Sequence, residues 1–172
     1  MAKKKVGLKV PTANELSKRY GDMIVSASDT KESGLWLPST FFMLNYTFGG
    51  GIPFGKILEV AGEESSGKSL IAYNFAYTTQ QLGGHVIWVD AEQAWMNSWA
   101  QENGVDPNGV TVIRDTRIEN IADALADVAI YWRSQLTHNE PILLVVDSIA
   151  AMDCADNIDS KMVDGKSEMG GR

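Results

Sequence analysis

The sequence predicts an α/β fold, a mainly parallel sheet covered by helices on both faces. Three features predict it. Val86-Ile87-Trp88-Val89, Val110-Thr111-Val112-Ile113 and Ile142-Leu143-Leu144-Val145-Val146 are short, nearly uninterrupted apolar runs, as in strands buried on both faces. Helix-like stretches alternate with them, which favours parallel crossovers. Finally, Gly62-Glu63-Glu64-Ser65-Ser66-Gly67-Lys68-Ser69 spells G-x-x-x-x-G-K-[ST] between an apolar run and a helical stretch.

The chain has 172 residues, 44% hydrophobic and 22% charged, enough for one globular core. No stretch approaches the ~20 apolar residues needed to cross a bilayer, so no membrane partner is expected. Lys3-Lys4-Lys5 is followed by no apolar h-region, which argues against a secretory signal. Cys154 is the only cysteine, so an internal disulfide or cysteine metal cluster is excluded and a reduced, cytoplasmic setting is expected. The formal net charge of −7 argues against a protein that coats nucleic acid non-specifically. Local basic clusters remain at Lys3, Lys4, Lys5 and Lys9, and at Lys161, Lys166 and Arg172, readable as solubilising tails or as contact surfaces.

Residues 1–34 read as an N-terminal tail, a short helix and a linker. Thr12 and Glu15 have capping-box spacing for a helix through Tyr20, and a polar stretch, residues 26–34, follows. Residues 35–152 form the expected core. It opens with an aromatic segment containing Phe41, Phe42, Tyr46 and Phe48, where both early phenylalanines are expected to pack in the core. A glycine-rich turn at 49–55 leads into Lys56-Ile57-Leu58-Glu59-Val60-Ala61, a predicted buried strand, and then helix from Leu70. After the strand at 86–89 comes the turn Asp106-Pro107-Asn108-Gly109. Thr116-x-x-Glu119 is the expected cap of a helix whose apolar face is Ile118, Ile121, Leu125, Val128, Trp132 and Leu136. Residues 153–172 are polar and aperiodic, a candidate mobile loop.

Strand, glycine loop and helix N-terminus together make an anion site: loop N–H groups point inward and the helix dipole adds positive charge. Gly62, Glu63, Glu64, Ser65, Ser66 and Gly67 would cradle a nucleoside triphosphate, Lys68 would reach its terminal phosphates, and the Ser69 hydroxyl would ligate Mg²⁺. Asp147 ends an apolar strand, the position of a carboxylate that orients Mg²⁺, or of one that merely caps a turn. Glu92, just past another strand end, could polarise a water for attack on the γ-phosphate. It could equally be a helix-start glutamate favoured by the dipole.

These segments resemble the RecA family of recombinases. The residues that carry the resemblance are Gly50-Gly51-Ile52-Pro53-Phe54-Gly55-Lys56-Ile57-Leu58-Glu59-Val60 with the phosphate loop, Asp90-Ala91-Glu92-Gln93-Ala94, and Val145-Val146-Asp147-Ser148-Ile149-Ala150-Ala151-Met152. Their order and spacing agree with the family from about Trp36 onward. The resemblance implies a RecA-like P-loop NTPase core that binds ATP and Mg²⁺, with Glu92 as catalytic carboxylate and Asp147 supporting the metal. Complete relatives form a nucleotide-dependent filament on single-stranded DNA and drive strand exchange in recombination and repair. A helicase-type motor on the same core is disfavoured by Asp90-Ala91-Glu92.

Departures from the family pattern are local. Glu63 stands where bacterial members usually have proline, which adds a negative charge near phosphate, and Ser69 replaces threonine. Trp99 falls on a tyrosine that stacks on adenine; its indole could do so or pack on the sheet. Met96 replaces an acidic contact to the base. Residues 156–172 are similar to the first DNA-binding loop, which makes Lys161, Lys166 and Arg172 candidate DNA contacts. By the same resemblance the core is incomplete at the C-terminus, lacking the strand that inserts between the phosphate-loop and magnesium strands. The expectation is therefore the ATP-binding part of a recombinase that self-associates or takes a complementing C-terminal chain. The alternative is a nucleotide-binding assembly or regulatory module without turnover, or one half of a split recombinase.

Overall fold

The computed structural model describes residues 12–26 and 34–154. They fall into two compact units, residues 1–34 and 35–172. In the first, helix α1 (Ala13–Tyr20) is closed by the predicted capping box. Thr12 Oγ1 accepts the Glu15 N–H at 3.3 Å, and the Thr12 N–H donates to the Glu15 carboxylate at 2.9 Å. Gly21, at φ +62°, ends the helix in a conformation that suits glycine.

The second unit begins with β1 (Trp36–Leu37), helix α2 (Phe42–Phe48) and β2 (Ile52–Pro53), with β1 and β2 antiparallel. The strands meet so closely that a Cβ on Gly51 would lie 2.1 Å from the Leu37 carbonyl oxygen. Asn45 ties α2 to the preceding turn: its Oδ1 accepts the Ser39 N–H at 2.7 Å and its Nδ2 donates to the Ser39 carbonyl at 2.6 Å.

Helix α3 (Lys68–Gln81) follows the glycine loop, and then a parallel sheet forms from β3 (His85–Asp90), β4 (Val110–Ile113) and β5 (Ile142–Asp147) in the order β4-β3-β5. β3 is central, and all six of its residues are buried. Alternation along it separates two faces. Val86 and Trp88 join Tyr73 and Ala76 of α3 and Ala100 of α4 (Asn97–Glu102), with the Tyr73 and Trp88 rings 4.6 Å apart. On the opposite face, His85 stacks at 3.6 Å on Trp132 of α5 (Ile118–Gln135). The predicted parallel sheet with helices on both faces is present. Among the described residues, no helix is long and apolar enough to cross a membrane.

Three local expectations need correction. Residues 56–61 form no strand, and Ile57 is 99% exposed. An apolar run favours burial, but a strand exists only where a neighbour takes its N–H and C=O groups, and among the described residues the sheet ends at β5. Phe41 and Phe42 are exposed rather than core, because the two-turn α2 buries none of its residues. Finally, α5 is not capped by Thr116. Asp115 Oδ1 accepts the N–H groups of Thr116 and Arg117 at 2.7 and 2.9 Å, and Ile118 is left exposed while Ile121 is buried. The predicted turn before β4 is present as a short helical turn, Pro107–Gly109, with Asp106 accepting the Asn108 N–H.

Candidate nucleotide site

The glycine loop runs irregularly from β2 to α3. Gly67 adopts φ +92° as the residue that starts α3, and a Cβ on Gly62 would lie 2.8 Å from Ser66 Oγ. Small residues therefore shape this turn, and it delivers Lys68 and Ser69 to the first turn of a 14-residue helix. Lys68 folds back over the loop, where Nζ donates to the carbonyls of Gly62 at 3.0 Å and Glu63 at 2.7 Å. Ser65 holds a left-handed φ of +60°. Gly62, Glu63, Glu64, Ser65 and Ser66 are exposed.

The parallel register sets Asp90 beside Asp147 at the C-terminal ends of β3 and β5. The Ser69 hydroxyl donates to Asp147 Oδ2 at 2.9 Å, so the helix start and the strand end share one point. Ser148, joined to Asp147 by a cis peptide bond, donates its hydroxyl to the Glu92 carboxylate. Glu92 itself is exposed, on the turn that follows β3. Lys68, Ser69, Asp147 and Glu92 thus fall into two linked groups, one on the loop carbonyls and one at the strand ends.

Tyr73 packs against β3, and its phenol is pushed up to about 12. Burial is the main cause, and the charges of Asp147 and Asp90 add to it. Asp90 is the buried carboxylate, only 2% exposed, and is taken up by backbone and by Arg114. Glu92 is exposed and Asp147 half-buried.

Other expected residues lie apart. Trp99 sits on α4, 43% exposed, and among the described residues no ring stacks on it. Lys161, Lys166 and Arg172 lie outside the described residues. Two contributors escaped the sequence reading. Ser148 was legible only as the residue after a strand-end aspartate, and Arg114 as the residue after β4.

Among the described residues no three His, Cys, Asp or Glu side chains converge. A magnesium site needs only one or two protein oxygens, with phosphates and water completing the shell. Ser69 Oγ and Asp147 Oδ2 are hard oxygen donors already side by side, and they fit such an ion.

A family model of the RecA N-terminal domain matches residues 10–172. Protein RecA of Ruminococcus albus is 36% identical over 132 residues, 74% of this chain and 31% of its own length. That of Clostridium beijerinckii is 39% identical over 118 residues, 67% and 30% of the two chains. That of Bacteroides thetaiotaomicron is 30% identical over 159 residues, 90% and 46%. The chain spans less than half the length of these relatives.

Proposed function

Because this chain belongs to the RecA family, we propose that residues 35–152 form the ATP-binding part of a recombinase that acts in DNA recombination and repair. The observation that carries this reading is the meeting of Ser69 with Asp147 and of Ser148 with Glu92 at the ends of adjacent parallel strands. Strand ends beside a glycine loop are where such sheets take nucleotides.

In this reading the loop from Gly62 to Gly67 wraps the phosphates with backbone N–H groups. Lys68 leaves the carbonyls of Gly62 and Glu63 to meet the β- and γ-phosphates. Ser69 and Asp147 hold Mg²⁺, which when bound neutralises phosphate charge. Glu92 draws a proton from the attacking water, and Ser148 orients its carboxylate beforehand. Trp99 offers an indole face to adenine. Single-stranded DNA is the partner of the complete protein, with Lys161, Lys166 and Arg172 as candidate contacts, and a cytoplasmic setting suits the lone Cys154.

The unpaired stretch at 56–61 favours a second reading. Its backbone and the outer edge of β5, unpaired among the described residues, are where a further strand would pair. Until then the chain would bind nucleotide without turnover.

One experiment separates the readings: titration with ATP·Mg²⁺, followed by phosphate release with and without single-stranded DNA. Binding with DNA-stimulated release supports the recombinase. Binding with release only after a complementing chain is added supports the second reading. No binding overturns both.

A further inference from the structure

β3, β4 and β5 end side by side, and each is finished by a polar residue: Asp90, Arg114 just past β4, and Asp147. Asp147 belongs to the proposed magnesium site. Asp90 and Arg114 have no assigned role, yet they form a salt bridge, Nε to Oδ2 at 3.1 Å.

Asp90 is 2% exposed, and a carboxylate removed from water needs donors in its place. It has them from two directions. Its Oδ1 accepts the N–H of Ala94 at 2.8 Å and of Trp95 at 3.2 Å. Its Oδ2 accepts the Trp95 N–H at 3.2 Å and Arg114 Nε at 3.1 Å. A second nitrogen of Arg114 reaches the Trp95 carbonyl at 3.5 Å. The chain therefore leaves β3, turns through Glu92 and Gln93, and is tied back onto the residue it left. Gln93 sits at the tip with φ +56°, a left-handed conformation that costs a non-glycine residue about 1–2 kcal/mol and persists only when its surroundings hold it. The Trp95 ring closes the turn against Tyr73 and Trp88.

We infer that Arg114 is a positioning residue for Glu92, acting through Asp90 and not on the substrate. The inference rests on Glu92 as the base. Without the guanidinium, Asp90 keeps its amide donors but loses its only charged partner among the described residues, and the turn is held from one side. A base misplaced by about 1 Å loses much of its effect. Arg114 is itself 54% exposed, so its removal opens no core cavity.

The test compares Arg114→Ala, Arg114→Lys and Glu92→Gln with the parent protein, by ATP·Mg²⁺ turnover and by amide hydrogen exchange. For Arg114→Ala, kcat is expected to fall about tenfold or more while KM stays within about twofold, the signature of misplacement rather than lost binding. Exchange at Ala94 and Trp95 should speed up, and Arg114→Lys should restore most of both. Parent-like kcat in Arg114→Ala, with Glu92→Gln slow, overturns this inference and leaves Glu92 as the base. Parent-like turnover in Glu92→Gln overturns both. Where the parent does not turn over, exchange decides: unchanged protection at Ala94 and Trp95 in Arg114→Ala sinks the inference.

Discussion

The Ser69 hydroxyl donates to Asp147 Oδ2 across 78 positions of the sequence, and that 2.9 Å contact joins the start of α3 to the end of β5. In the proposed site these are the two oxygen donors offered to Mg²⁺. Ser69→Ala removes one of them. Its expected effect on unliganded stability is a loss of about 0.5–1.5 kcal/mol, the net worth of a typical hydrogen bond. Titration calorimetry with and without Mg²⁺ should show that the metal's enhancement of ATP affinity is largely gone, while affinity in chelator is unchanged. Equal enhancement in variant and parent would remove Ser69 from the metal site.

Lys68→Ala is expected to abolish nucleotide binding and leave the fold intact. The ammonium now rests on two exposed loop carbonyls, so its loss should change stability by no more than about 0.5 kcal/mol. ATP affinity equal to the parent's would refute the phosphate role.

Glu92→Gln separates binding from chemistry. The carboxylate is exposed and accepts from Ser148, and its proposed partner is water and not the phosphates, so ATP affinity should hold. Turnover should fall by about 100-fold or more, the usual scale for a general base. Single-turnover hydrolysis at the parent rate would reduce Glu92 to a turn carboxylate.

His85 provides a pH test of the fold. Burial lowers its pKa below the ordinary 6.5, and its ring is stacked on Trp132 with Nε2 2.9 Å from Thr111 Oγ1. The unfolded chain therefore binds a proton at a higher pH than the native one does. Stability should be constant above about pH 7 as far as this group is concerned. It should fall as pH drops below 6.5, by no more than about 1.4 kcal/mol per pH unit, and level off once the native ring also titrates. His85→Phe keeps an aromatic on Trp132 and should remove that component. Melts of parent and variant between pH 7.5 and 5.5 that run parallel would contradict it.

Ile57→Lys tests the unpaired stretch. With the side chain 99% exposed, the substitution should change the stability of the chain by no more than about 0.5 kcal/mol. If a further strand pairs there, the same substitution should block complementation, read as loss of the melting-temperature gain on adding the second chain. A large destabilisation of the chain alone would mean that residues 56–61 are buried in solution.

The apolar runs at 86–89, 110–113 and 142–146, the capping box of α1 and the glycine loop were legible in the sequence because each is a pattern of consecutive residues. Continuous apolar runs, a hydroxyl three residues before a glutamate and a glycine where φ must be positive are local requirements. Whether 56–61 became a strand was not legible, since pairing needs a second chain segment at its side and apolar pattern carries no information about that segment. The meetings of Asp90 with Arg114 and of Ser148 with Glu92 were hidden for the same reason. The parallel register of β3 with β4 and β5 brings their C-terminal ends to one edge, and only there does one strand-end aspartate become a buried anchor. The other stays half-buried beside Ser69. The sequence named the candidate groups; the pairing of the strands decided which of them meet, because those distances are set across the sheet and not along the chain.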